Sequence, residues 1–310
     1  MNYIISHFRL RCFIALFSFC WLSVAVNAAE PLLWKFVEGD SYNYQMVQEM
    51  KTSMNLGPGG ETTSSVKQII DMVWNINSVD DDGTAAMTQA INRVQMNITA
   101  PGQGDVNFDT AEEEPAQGFA AMLAPSLKAM TKTPFKVTMT SRGEITNVEV
   151  PAALLESMSQ GPGGTMLGSL ATEKGFKDAI TQNAVTLPLA EELVEGHQWS
   201  TSFEIENPVA GKVITETTYE YKGSRDVDGQ QLEVFVPTLD TRFGEANLPN
   251  GTTLKVKSQE TTGEILFSRS AGRLVSTSIH QLLDLEITVG GNVVNQHIDQ
   301  TIKFRMTNDE

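Results

Sequence analysis

From Ser41 to Leu56 the chain alternates. Tyr42, Tyr44, Met46, Met50, Thr52, Met54 and Leu56 share one parity, and Ser41, Asn43, Gln45, Glu49, Lys51, Ser53 and Asn55 the other, with Val47 and Gln48 as exceptions. A period of two over this length predicts a long antiparallel strand with one apolar and one wet face. Met46, Met50 and Met54 also fit a helical i, i+4 spacing, but the adjacent tyrosines and the turn residues Gly57-Pro58-Gly59-Gly60 favour strand. Val66, Ile70, Met72, Trp74 and Ile76 continue on one parity up to Asp80-Asp81-Asp82-Gly83, a turn composition, so a hairpin follows. Its return strand carries Val94, Met96 and Ile98, and the ordered run is expected to end at Pro101-Gly102-Gln103-Gly104 and the acidic Glu112-Glu113-Glu114.

Between Ala116 and Met130, Phe119, Met122, Leu123, Leu127 and Met130 recur every three or four residues, which predicts an amphipathic helix kinked or restarted at Pro125. Phe135 to Val150 reads as strand with a turn at Arg142-Gly143, and Pro151 to Met158 and Ala171 to Ile180 read as helices around the flexible Gly161-Pro162-Gly163-Gly164. The first pattern then returns. Val37-Glu38-Gly39 is echoed by Val194-Glu195-Gly196, Val73 to Gly83 by Tyr219 to Gly229, and the turn at Gly143 by one at Gly272. Three matches in one order point to a duplication. Leu283, Leu285, Ile287 and Val289 lead into Gly290-Gly291, and Val294, Ile298, Ile302, Phe304 and Met306 lead out, a hairpin with a two-residue turn.

The predicted fold is mainly β (α+β), with two similar curved antiparallel sheets or half-barrels and a few covering or connecting helices. Its expected parts are a first β-rich half over 29–150 with a helix at 116–130, a helical connector over 151–190 and a second β-rich half over 191–310. Whether the halves share one sheet is left open.

The first 28 residues stand outside this pattern. Arg9 and Arg11 precede the apolar run Phe13 to Val26, and Val26-Asn27-Ala28 supplies small residues for cleavage, so a removable secretory leader is predicted. The run is short of the ~20 residues that a spanning helix needs, and no later run is long enough. Both cysteines, Cys12 and Cys20, lie in the leader, so the exported protein has neither disulfides nor a thiol nucleophile and must rely on its core. Losing Arg9 and Arg11 leaves 20 basic against 38 acidic residues, a net charge of −18, which makes nucleic acid and anionic membrane surfaces poor partners. A periplasmic or extracellular location is expected.

No Gly-x-Ser-x-Gly, His-Glu-x-x-His or phosphate-binding glycine loop occurs, so no catalytic residue, metal or cofactor is expected. Ser78-x-Asp80-x-Asp82-Gly83 and Ser224-x-Asp226-x-Asp228-Gly229 look like the front of a calcium loop, but Gln89 and Phe235 stand where a bidentate glutamate belongs. Both read as hairpin turns. A tight last turn would set His297 across from Asp284 or Glu286, a solvated cross-strand pair.

The apolar face of Tyr42, Tyr44, Met46, Met50 and Met54, with Trp74 beside it, is the candidate ligand surface, because methionine repacks easily around lipophilic molecules. Methionine is also a common core filler, so a sheet closed by the 116–130 helix is the rival reading.

The opening Leu33-Trp34-Lys35-Phe36-x-Glu38-Gly39-Asp40-x-Tyr42-x-Tyr44 resembles that of a family of uncharacterised secreted bacterial proteins, known only as a domain of unknown function. The resemblance implies export and a β-rich architecture and carries over no catalytic residue. In layout alone the chain is similar to periplasmic lipoprotein carriers, which is fold-level analogy. Three readings follow, in this order: a carrier or sensor of a lipophilic small molecule, an envelope scaffold that binds a protein through a filled core's outer surface, and an enzyme, which no motif requires.

Overall fold

The computed structural model describes residues 31–57, 60–102, 104–113, 118–159, 168–182, 184–189, 193–207, 211–244 and 252–307. The leader, the side chain of Phe119 and the glycine-rich stretch at 161–164 lie outside the described residues.

Long strands dominate. The first half contributes β1 (Ser41–Asn55), β2 (Glu61–Val79), β3 (Ala85–Ala100), β4 (Gly104–Asp109), β5 (Phe135–Met139) and β6 (Ile145–Glu149). The second contributes β7 (Gln198–Asn207), β8 (Gly211–Val227), β9 (Gln230–Phe243), β10 (Thr253–Ser268), β11 (Arg273–Val289) and β12 (Asn292–Thr307). Helices α1 (Gly118–Met130, containing Pro125), α2 (Ala152–Ser159) and α3 (Glu173–Gln182), with a 3-10 turn at Gly168–Ala171, complete the described elements.

The two halves form one antiparallel sheet, ordered β6-β5-β3-β2-β1-β12-β11-β10-β9-β8-β7, with β4 also on β3. Its seam joins the two ends of the chain: β1 runs against β12 from Asn43↔Thr307 to Asn55↔Asn295. Two of the echoed turns make the same pattern of hydrogen bonds. Gly39 N donates to Ile76 O and Ile76 N to Asp40 O, while Gly196 N donates to Tyr221 O and Tyr221 N to His197 O.

The sheet curls but does not close. Its edge strands β6 and β7 are both packed by α3, and the extended segment after α3 continues the bridge. Leu187 N donates to Arg142 O (2.7 Å) on the β5–β6 turn, and Trp199 Nε1 on β7 donates to Thr186 O (2.8 Å). At the same end the segment ahead of β1 ties the halves together. Trp34 N donates to Ser141 O (2.7 Å), Lys35 N to Gly272 O (2.8 Å) and Trp34 Nε1 to Val185 O (3.2 Å). The Trp34 ring meets Trp74 of β2 and Phe267 of β10, with centroids 6.2 and 5.4 Å away. One indole thus touches both halves, the turn of β5–β6 and the bridging segment.

Register sorts the side chains as the alternation predicts. Even-numbered residues of β1, β2 and β12 face the concave side with odd-numbered residues of β11, because Met46 pairs with Ile70 and Phe304, and Phe304 with Thr277. The convex side carries polar pairs such as Lys67–Glu49 (2.7 Å), His280–Asp299 (2.8 Å) and His297–Asp284 (2.7 Å).

The expectation that order ends at Pro101 is corrected by β4, which returns along β3. What secures it is a side-chain cluster. Asp109, 8% exposed, accepts from Arg93 Nε (3.0 Å) and Nη2 (2.5 Å), Gln95 Nε2 (3.0 Å) and Ala111 N (2.9 Å). The Arg93 guanidinium in particular lowers the Asp109 carboxyl to about 2. A carboxyl depressed in the folded state stabilises above its unfolded value near 3.9, and this contribution is lost as pH falls through about 2. Asp109→Asn is expected to cost about 1–3 kcal/mol at neutral pH, shrinking toward zero near pH 2. Urea unfolding of both proteins at neutral and acid pH checks this; an undiminished gap at about pH 2 contradicts it.

A candidate ligand cavity

The concave face is covered over only part of its length. Where α1, the 3-10 turn and α3 lie over β1, β2, β3 and β5 they leave a cavity of about 440 Å³. Its wall is mostly apolar and rich in methionine: Met46, Met72 and Met96 come from the sheet, Met139 from β5 and Met130 from α1. Gln48, Gln68 and Gln89 are its polar members.

Trp74 lines this cavity and forms an aromatic group with Tyr44 and Phe304, whose centroids lie 4.8 and 6.5 Å away. The Trp74 indole Nε1 is buried and has no hydrogen-bond partner among the described residues. An unpaired buried donor is costly, and a group arriving in the cavity with an acceptor would relieve it. The Tyr44 hydroxyl is likewise buried without a partner, and burial holds its pKa far above the ordinary tyrosine value.

The structure divides the six candidate residues. Met46 and Trp74 line the cavity. Tyr44 stacks on Phe304 (4.8 Å) behind it, and Tyr42 sits at the sheet's end, its hydroxyl donating to Asp40 (2.9 Å) and its ring 4.3 Å from the Arg273 guanidinium carbon. Met50 and Met54 follow on the same face but outside the cavity, paired with Val66 and Thr62 of β2. Sequence reasoning missed the wall from β3, α1, β5 and α3, including Met96, Leu127, Met139 and Ile180. Nothing in the local alternation marks which helix will lie over which strand.

Outside this site a buried polar cluster centres on Glu233, 5% exposed, which accepts from Arg269 Nε (2.6 Å), Ser224 Oγ (2.9 Å) and the Tyr221 hydroxyl. Its hydrogen bonds hold its carboxyl below the ordinary value against the opposing effect of burial, as in a structural tie between β8, β9 and the turn after β10. No group of three or more His, Cys, Asp or Glu side chains suited to a metal occurs among the described residues.

The profile of a family of unknown function (DUF6263) matches residues 82–238, just over half of the chain and across the junction between its halves. The chain belongs to this family. No curated protein sequence matches this DUF6263 chain significantly. Solved structures that the chain matches remotely include lipovitellin, 14% identical with a TM-score of 0.49, where the match covers 88% of this chain. The chain spans only 26% of the length of lipovitellin. An outer membrane channel from Pseudomonas putida F1 is 8% identical over 88% of this chain and 97% of its own, with a TM-score of 0.25. A putative outer membrane lipoprotein-sorting protein domain from Vibrio parahaemolyticus is 7% identical over 86% of each chain, with a TM-score of 0.14. These likenesses are too remote for a shared function to follow.

Proposed function

We propose that this DUF6263 protein is an exported, non-enzymatic carrier or sensor of a lipophilic small molecule, held between the concave face of the sheet and the helices that cover it. The observation that carries the proposal is the methionine-lined cavity of about 440 Å³ with the unpartnered Trp74 Nε1 in its wall. Such a volume falls in the range of small-molecule sites, and an apolar wall with few polar groups is what they present. A well-packed core leaves few voids larger than a water molecule, so the cavity supports this reading over a scaffold with a filled core.

Met46, Met72, Met96, Met130 and Met139 approach from four strands and a helix. Their unbranched side chains adjust to chains of different length and branching at little cost. The convex face, with its ion pairs, meets water while the ligand is hidden inside. Among the described residues no helix is long and apolar enough to cross a membrane. Export rests on the leader, with its apolar run from Phe13 to Val26.

Native mass spectrometry of the mature protein, purified gently from its own host's envelope and followed by organic extraction, tests the proposal. A lipid-like mass that leaves on extraction is expected. A bare polypeptide mass from the freshly isolated protein goes against it.

A further inference from the structure

A second cavity, of about 300 Å³, adjoins the first, and Met46, Ile145, Ala184, Val185, Leu274 and Phe304 line both. Its chemistry is different. Thr201 of β7, Thr215 and Thr217 of β8 and Thr277 of β11 line it from the sheet and Thr186 from the bridging segment, while Thr181, at the end of α3, lines it with its hydroxyl donated to Lys177 O (2.9 Å).

The backbone explains why space opens here. β9 pairs with β10 only from Glu233↔Phe267 to Phe235↔Ile265. Two residues on is Pro237, which has no N–H to give. Leu239 N and Thr241 N, on the same side of β9, donate instead to the side chains of Thr261 (3.2 Å) and Gln259 (2.8 Å) on β10. The parted strands leave Leu239 and Ile265 as walls of the second cavity.

Thr277 is 8% exposed, and its hydroxyl is buried with no hydrogen-bond partner among the described residues. Among the described residues Glu144 is the one charged wall residue, and its carboxylate is already paired with Arg142 (3.2 Å). Among the described residues no lysine or arginine lines either cavity.

Resting on the carrier reading, we infer that the ligand is an amphiphile with a neutral, hydroxyl-bearing head such as a glycerol or sugar, its acyl chain in the methionine-lined cavity and its head in the threonine-lined one. Threonine hydroxyls both donate and accept, which matches a polyol. A phosphate head would arrive without a cation to meet it, against the field of a strongly acidic protein.

The test compares three probes that share a palmitoyl chain: monopalmitoylglycerol, methyl palmitate and palmitoyl lysophosphatidylglycerol. The wild-type protein is expected to bind the glycerol ester about tenfold or more tightly than either of the others, since methyl palmitate lacks the hydroxyls that the site is built for and the lysophospholipid adds a phosphate charge to its hydroxyls. In the Thr217→Val, Thr277→Val double variant that preference disappears while affinity for methyl palmitate is unchanged; Thr277→Ser with Thr217 intact retains it. Equal wild-type affinities, a preference for the phosphate head, or a double variant that keeps the preference overturns the head assignment alone. If none of the three binds, the carrier reading falls with it.

Discussion

Trp34→Ala is expected to destabilise the protein by about 3–5 kcal/mol, the cost of emptying a fully packed tryptophan site. The residue is 3% exposed, and its indole is the point at which the two halves, the β5–β6 turn and the bridging segment converge. Much of that loss should also appear in Gly143→Ala, for a different reason. Gly143 has φ +89°, and an added Cβ would collide with the Val185 carbonyl oxygen and stand 2.6 Å from Trp34 Nε1. Gly39 has nearly the same φ, +87°, with nothing near the corresponding position. Gly39→Ala therefore carries only the left-handed backbone penalty of about 1–2 kcal/mol, and the excess loss in Gly143→Ala measures the collision. Urea unfolding midpoints of the three variants check the order; a Gly143→Ala no worse than Gly39→Ala, or a Trp34→Ala that unfolds like wild type, contradicts the convergence.

The elements that repeat locally were legible in the sequence. The alternation of Tyr42 to Met54 is β1, the run on either side of Gly290-Gly291 is the β11–β12 hairpin, and the His297–Asp284 pair sits where a tight turn puts it. The echoed turns were legible because turns are demanding: Gly39 and Gly196, with φ of +87° and +88°, make equivalent hydrogen bonds. The β1–β12 seam was not, since neither strand's pattern names a partner at the far end of the chain. β4 was missed because its six residues sit among glycine and acidic residues, and what fastens them is the Arg93–Asp109 pair contributed in part by the neighbouring strand.

The candidate site was legible in kind but not in extent. Parity places Met46, Met50 and Met54 on one face, and they do share it. Parity does not say where along that face a helix will lie, and only Met46 is under the cover. The threonines of the second cavity carried no signal at all, because threonine at alternate positions is ordinary strand composition.

The position of Met46 allows the central claim to be tested by filling the space. A tryptophan at position 46 would occupy volume that the ligand needs, without introducing a charge. At Met54, on the same face but outside the cavity, the same substitution should leave the site free. The decisive measurement is a titration of wild type, Met46→Trp and Met54→Trp with a fluorescent neutral acyl probe, a glycerol ester of a pyrene-labelled C16 chain, alongside unfolding midpoints. The carrier account predicts saturable binding to wild type and Met54→Trp, and binding at least about 100-fold weaker to Met46→Trp, equivalent to about 2.8 kcal/mol, with its fold retained. Equal binding by a folded Met46→Trp, or no saturable binding by wild type, would contradict it.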